Sequence, residues 1–309
     1  MIRQRHAIPV PEDGRLPLCW TNTGTVGFGV WDGGKDLVRI ADDHLFNRCI
    51  ERWALTPGGD PIITRSSRLL PALRQGEPAM LKIAAVPEEQ WGAGLMIWWN
   101  GIGAARVIEY DDHAILLERA TGNGSLAKMA KDGGNDQATR IICDVVATLH
   151  TPRAAPVPDL IPLMDWFQPL ITLGEGGILG RTAETARMLL ADPREVVALH
   201  GDIHHENILD FAGRGWLAID PKRLIGERGF DYANLFCNPS HPIAAAPGRL
   251  ARQVEVVAQA AHLDRTRLLH WILAWAGLST TWLMEENNHD LAKMALRIAD
   301  IAAAEIDKR

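Results

Sequence analysis

Cysteine is scarce in this chain. Its 309 residues carry four, Cys19, Cys49, Cys143 and Cys237, far apart and without a CxxC pair. That spacing argues for isolated thiols in a reducing compartment over a disulfide framework or a zinc site. Basic charge is not in excess. The 32 Lys and Arg against 38 Asp and Glu give a formal net charge of −6, which argues against the basic footprint of a general nucleic-acid binder. Long apolar runs are missing as well. The most hydrophobic long segment, Trp271 to Met284, is interrupted by Gly277, Ser279, Thr280 and Thr281. It is too short for the roughly 20 apolar residues that span a bilayer. No opening stretch combines a basic end, an apolar core and a small-residue cleavage site. The expectation is a cytoplasmic protein with neither nucleic acid nor membrane as partner. A 47% hydrophobic content over this length suffices for two lobes with their own cores.

What the chain does have is concentrated in one stretch. His200-Gly201-Asp202-Ile203-His204-His205-Glu206-Asn207 is followed, after an apolar run, by Ala218-Ile219-Asp220-Pro221. An Asp, an Asn five residues on and a second Asp eighteen residues past the first are the groups that phosphoryl transfer needs. One carboxylate orients an acceptor hydroxyl and takes its proton, while an amide and a second carboxylate hold magnesium on the nucleotide phosphates. A tight loop keeps Asp202 near Asn207, and a short hairpin through Ile208, Leu209 and Trp216 to Ile219 brings Asp220 back to the same metal. Asp202 is the candidate catalytic base, and Asn207 and Asp220 are the candidate metal ligands. The spacing is that of the kinase catalytic loop and the metal-binding Asp beyond it.

Two other readings of the loop compete. It could be an ordinary polar turn, or part of a binuclear metallophosphatase echoed by Asp111-Asp112-His113 and Asn287-Asn288-His289-Asp290. A dimetal hydrolase needs several His and carboxylate ligands converging from strand ends. No further paired-His segment follows, and residues 287–290 sit in a polar loop between helical stretches.

The run His200 to Leu209, with Gly215-Trp216-Leu217-Ala218-Ile219-Asp220-Pro221 and Gly226-Glu227-Arg228-Gly229-Phe230-Asp231-Tyr232-Ala233-Asn234, resembles the aminoglycoside/hydroxyurea antibiotic resistance kinases. Within that family it is most similar to the streptomycin 6-phosphotransferases, from Ile50 to the C-terminus. The resemblance implies an α+β, two-lobed protein-kinase-like fold with a small β-rich N-lobe and a larger, mostly helical C-lobe. It implies ATP and Mg2+ as cofactors and an aminoglycoside as the small-molecule substrate. The reaction it implies is transfer of the γ-phosphoryl group to the 6-hydroxyl of the streptidine ring of streptomycin, which would confer resistance.

Residues 1–49 carry five glycines between Gly24 and Gly34 and little periodicity. The run Gly24 to Gly29 lacks the strand-to-helix context of a nucleotide loop, and the segment is read as a poorly ordered extension. Residues 50–120 form the expected N-lobe. Pro61-Ile62-Ile63-Thr64 and Arg68 to Leu73 flank Arg65-Ser66-Ser67 as a hairpin, and a turn at Gln75-Gly76-Glu77 leads to a third strand, Ala79 to Ala84, bearing Lys82. A kinase needs a strand Lys for the α- and β-phosphates, paired to a helix Glu. Lys82 has that place in the order of elements. By the family resemblance its partner is Glu89, opening an amphipathic helix to Trp99, with Glu88 a near rival. No G-x-G-x-x-G covers the phosphates. The corresponding turn resembles the serine-bearing loop of aminoglycoside kinases, with Ser66 and Ser67 as candidate phosphate contacts or simply turn formers.

Ala114 to Ala120 reads as a buried strand running into a linker, where by resemblance the main chain of Glu118 and Ala120 would meet adenine. Residues 121–309 form the expected helical C-lobe, which begins with the amphipathic Asp136 to His150. Further helices are predicted over Thr182 to Leu190, Arg249 to Ala261, Arg265 to Met284 and Asp290 to Ile306. Asp231 is expected to brace the catalytic loop, His200 to be a packed structural residue, and the stripe Trp271, Trp275, Trp282 to be core. Glu285, Glu286 and Asp290 offer carboxylates suited to guanidinium groups. Two rivals remain: a same-fold kinase for another small alcohol, such as an aminocyclitol or choline-like metabolite, and a catalytically dead nucleotide-binding protein. Lys82, Asp202, Asn207 and Asp220 together weaken the second.

Overall fold

The computed structural model describes residue 44 and residues 46–64, 67–84 and 87–308, leaving aside the side chains of 84 and 87–92. The N-lobe opens with helical residues 46–53 (α1). It continues through β1 (Leu55–Pro57), β2 (Ile62–Ile63), β3 (Ser67–Arg74), β4 (Glu77–Ala84), α2 (Pro87–Trp99), β5 (Val107–Tyr110) and β6 (Ala114–Glu118). The sheet runs β1-β3-β4-β6-β5, with β2 paired to β3 off that path, and every pairing is antiparallel. The β3–β4 hairpin closes with Arg74 opposite Glu77, and both turn residues, Gln75 and Gly76, have positive φ. That is the backbone a two-residue hairpin turn demands, and Gly76 adopts it without steric cost.

Alternation along the strands assigns the two faces. Leu70, Ala72, Ala79, Leu81, Ile83, Ala114 and Leu116 pack with Phe46, Cys49, Trp53 and Leu55 under α1. Ile115 and Leu117, one residue out of phase on β6, join Leu95, Met96 and Trp99 of α2 in the core shared with the C-lobe. Lys82, between Leu81 and Ile83, points to that second face.

Phe46 and Cys49, 4% and 1% exposed, move the start of the N-lobe ahead of residue 50, where the extension was expected to end. Residues 1–43, with the Gly24 to Gly29 run and Cys19, lie outside the described residues. The reason for the difference is local: the helix closes the sheet face that Leu70, Leu81 and Leu116 leave apolar, a need that no motif announces.

The C-lobe contains α3 (Leu126–Lys131), α4 (Asn135–Leu149), β7 (Ile161–Pro162), α5 (Leu163–Trp166), α6 (Gln168–Leu173) and α7 (Gly177–Ala191). Then come β8 (Val196–Leu199), β9 (Ile208–Asp210), β10 (Trp216–Ala218), β11 (Leu224–Glu227) and a 3-10 helix, Arg228–Cys237. The chain ends with α8 (His241–Ala244), α9 (Arg249–Ala260), α10 (Arg265–Glu285) and α11 (His289–Asp307). The predicted helices are present within a few residues at each end. The pair β9–β10 is the expected short hairpin, whereas the sheet β7-β11-β8 lacked a clear sequence signal because its strands are two to four residues long.

Helix α10 is the spine of the lobe, packed on α7, α11 and the 3-10 helix. Trp271, Trp275 and Trp282 are core, as expected; Trp271 and Trp275 meet Phe230, and Trp275 meets Trp282, edge to face at 5.4–5.7 Å. Glu227 fastens α10 to β11. Its carboxylate accepts from Arg267 (2.7 and 2.6 Å), the Trp271 indole (2.8 Å) and the Arg194 amide (2.9 Å). Burial disfavours the charge, but these donors hold the Glu227 pKa below its ordinary value. None of the described helices is long and apolar enough to cross a membrane.

Phe46→Ala removes a buried ring from the N-lobe core and is expected to cost about 3–5 kcal/mol, read as a lowered urea midpoint. A chain begun at Ile50 should show a comparable loss, and one begun at His44 should not.

Candidate active site

The catalytic loop is held from beneath by one buried carboxylate. Strand β8 ends at Leu199, and the next two amides, of His200 and Gly201, donate to Asp231 Oδ2 and Oδ1 at 2.9 and 2.7 Å. His150 Nε2, at the end of α4, meets Asp231 Oδ2 at 2.7 Å. Asp231 therefore braces the loop, as expected. Gly201 has φ of +82°, and a Cβ there would lie 2.7 Å from Leu224 Cδ1, so both the turn and the close approach of β11 require glycine.

His200 is a tie, not an acid or base. Its Nε2 meets the Ile219 carbonyl at 2.8 Å and its Nδ1 accepts from the Asp202 amide at 3.2 Å. This pattern fits the neutral ring with its proton on Nε2. Burial pushes the His200 pKa down, against the pull of Asp231 and Asp202, and the Trp99 ring stacks on it at 6.0 Å. Three further bonds close the loop against the hairpin. Asn207 Nδ2 donates to the Asp202 carbonyl (2.9 Å). The Ile219 amide donates to the Asn207 carbonyl (2.9 Å) and the Lys222 amide to the His200 carbonyl (2.7 Å).

Asp202, Asn207 and Asp220 are thus brought together by the loop and hairpin that their spacing implied. The Asp202 carboxylate receives Asn234 Nδ2 on Oδ1 at 2.9 Å and faces Lys222 Nζ across 3.8 Å on Oδ2. Lys82 reaches across the lobes to Asp220 Oδ1 at 2.6 Å. Burial works against an ionised Asp220, but Lys82 foremost, then Lys222 and His200, hold its pKa below the ordinary carboxylate value. Asp220 itself has φ of +60°, which turns the chain sharply between β10 and Pro221.

The donor set suits magnesium. Asn207 spends its amide nitrogen on Asp202 and keeps its side-chain oxygen, and Asp220 keeps Oδ2 beyond Lys82. Hard oxygen donors, one or two from the protein and the rest from phosphates, are the usual magnesium environment in such enzymes. Among the described residues no group of three or more His, Cys, Asp or Glu converges to hold a metal.

Of the other predicted residues, Glu89 lies in the first turn of α2 with its side chain outside the described residues, and Ser66 lies outside them altogether. Ser67 opens β3 and is buried. Its amide donates to Thr64 Oγ1 at 3.0 Å, which suits a turn former. Glu118 ends β6, where its carboxylate accepts the Arg106 amide at 2.6 Å and pairs with Arg214. Beyond Ala120 the linker crosses β9: Gly122 N donates to the Asp210 carbonyl (2.9 Å), and Gly124 N to Asp210 Oδ2 (3.0 Å). A Cβ on Gly122 would overlap the Asp210 carboxylate at 2.0–2.2 Å. Sequence reasoning gave no role to His150, Asn234 or Lys222. Asn234 lay within a quoted run and Lys222 two residues past Asp220, but His150 carried no signal.

A small antiparallel sheet over a helical lobe, with a Lys–Asp pair bridging them and a braced Asp-Asn loop below, defines a phosphotransferase of the protein-kinase-like class. A family model for the aminoglycoside/hydroxyurea antibiotic resistance kinases matches residues 52–287, and the chain belongs to that family. It is 50% identical over 262 residues to a streptomycin 3''-kinase of Klebsiella pneumoniae, covering 82% of this chain and 98% of the relative. To a streptomycin 6-kinase of Streptomyces griseus it is 29% identical over 276 residues, 84% of this chain and 88% of the other. Among solved structures, a thermostable mutant of aminoglycoside phosphotransferase APH(4)-Ia in ternary complex with ADP and hygromycin B superposes with a TM-score of 0.59. The sequences are 13% identical, and the match covers 83% of this chain and 96% of that one. A Plasmodium vivax ethanolamine kinase gives a TM-score of 0.58 at 13% identity, covering 89% and 90%. At such identities these two speak for the fold alone. The kinase relatives make the chain a phosphotransferase that acts on hydroxyl groups.

Asp231→Ala would strand two buried amides and the His150 ring, and is expected to destabilise the protein by about 3–5 kcal/mol. Thermal unfolding measures the loss, and Asn234→Ala, which frees one oxygen of the partly exposed Asp202, should shift the midpoint far less.

Proposed function

We propose that this protein phosphorylates streptomycin with ATP and magnesium, at the 6-hydroxyl of the streptidine ring. The observation that carries the chemistry is Asp202, fixed through its carbonyl by Asn207 and through Oδ1 by Asn234, beside an Asp220 already engaged by Lys82 from the other lobe. ATP would lie between the lobes. The main chain of Glu118 and Ala120, at the linker between the lobes, would receive adenine. Lys82 binds the α- and β-phosphates, and Glu89 is its proposed partner from α2. Ser66 and Ser67 are the proposed phosphate-loop contacts. Asn207 and Asp220 would hold magnesium, which when bound offsets charge on the phosphates and aligns them. Asp202 orients the acceptor hydroxyl in line with the γ-phosphorus and takes its proton.

Streptomycin as acceptor rests on the extended run from His200 to Asn234 and on relatives named for that antibiotic. The 6-position rests on the same run and on two 6-kinase relatives. The Klebsiella relative at 50% identity favours a second reading, transfer to the 3''-hydroxyl. Fragment-ion mass spectrometry of the product decides between them: one phosphate on streptidine supports the 6-position, and one on the hexosamine ring replaces it with the 3''-position. Kanamycin has amines but no guanidinium pair, and should be a poor acceptor because it cannot present the planar forks that paired carboxylates bind.

Asp202→Asn is expected to lower kcat by at least about a hundredfold with nucleotide binding retained. Asp220→Asn should instead weaken magnesium-nucleotide affinity, read by titration calorimetry. Near-normal turnover in folded Asp202→Asn would remove this mechanism.

A further inference from the structure

A second lysine stands at the reacting carboxylates. Lys222 lies on the connection from β10 to β11, and its amide is pinned to the His200 carbonyl at 2.7 Å. The side chain is only 10% exposed, and its Nζ faces Asp202 Oδ2 at 3.8 Å. That separation is an ion-pair distance and not a hydrogen bond, and it sets the ammonium beside the carboxylate oxygen. The other oxygen, Oδ1, is occupied by Asn234. Lys222 also acts on Asp220 by its charge, while Lys82 holds Asp220 from the nucleotide side. The loop's two histidines offer no substitute: His204 and His205 are both buried, and His204 Nδ1 is taken by the Glu206 amide.

We propose that Lys222 is a catalytic lysine of the transfer step, binding the non-bridging oxygens of the phosphoryl group as it crosses to the acceptor. This inference rests on the phosphotransferase reading above. In the step, the bond from the γ-phosphorus to its bridging oxygen breaks and the electron pair leaves on ADP. The acceptor oxygen bonds to phosphorus, and its proton passes to Asp202 Oδ2. Lys222 keeps its own protons throughout. It waits at Asp202 before the reaction and meets the phosphoryl oxygens as they arrive, so its contribution is made in the transition state and not in nucleotide binding. The two lysines therefore divide the work, Lys82 on the nucleotide side of Asp220 and Lys222 on the acceptor side.

The test compares wild type, Lys222→Met, Lys222→Gln and Lys222→Arg with streptomycin and MgATP. Met fills the volume of the buried stem, and Gln guards against a folding defect in Met. Removing the charge should lower kcat by about 10²–10³-fold. The KM for ATP, and calorimetric affinity for a non-hydrolysable ATP analogue, should stay within about threefold. Arg should recover about tenfold of the lost rate, and the melting temperature should hold. The proposal is overturned if Met and Gln keep kcat within about threefold of wild type. It is equally overturned if nucleotide affinity falls in step with kcat, or if Arg does no better than Met. A wild-type enzyme that consumes no ATP with streptomycin or any other alcohol would instead defeat the underlying phosphotransferase reading.

Discussion

The structure depends on the buried carboxylate of Asp231. A loop that crosses the interior with its amides exposed would leave donors without water, each at a cost of about 1–3 kcal/mol. Asp231 takes the His200 and Gly201 amides, one on each oxygen, and shares Oδ2 with the His150 ring. Those bonds join the 3-10 helix, the end of β8 and the end of α4 at one point. The candidate site then hangs from that point. His200, so fixed, ties the Asp202 amide to the Ile219 carbonyl, and Ile219 leads directly to Asp220.

A second constraint joins the lobes. Lys82 and Asp220 are 138 residues apart and meet at 2.6 Å, with the lysine side chain 8% exposed. A buried pair of this kind is weak evidence for stability, since desolvating both ions opposes their attraction. Its value is geometric: it sets the strand that would bind phosphates against the hairpin that would bind metal. The main chain supports the same alignment, because the Ala105 amide donates to the Ala218 carbonyl and the Ala218 amide to the Gly103 carbonyl, both at 2.9 Å. Charge and backbone pairing thus fix one interlobe distance.

Much of this was legible in the chain. Asp202, Asn207 and Asp220 could be picked out because a tight loop and a short hairpin are local objects, and their residue spacing is their geometry. Lys82 could be placed because strand alternation and the Gln75-Gly76 turn define β3 and β4 without reference to anything distant. The long helices α4, α7, α9, α10 and α11 declared themselves by apolar periodicity, and the Trp271, Trp275 and Trp282 stripe by its helical spacing. The two- to four-residue strands β7, β8 and β11 did not, being too short for any period to register.

By itself, then, the sequence determined which candidate site residues exist, how they are ordered and what class of fold carries them, because each of those follows from residues close in the chain. Tertiary structure decided the rest. It placed Phe46 and Cys49 inside the N-lobe, made His150 a partner of Asp231 across 81 residues, and set Asn234 and Lys222 on opposite oxygens of Asp202. These contacts arise where separately formed elements pack, and their distances depend on how α4, β11 and the 3-10 helix close around β8. No spacing along the chain encodes that closure.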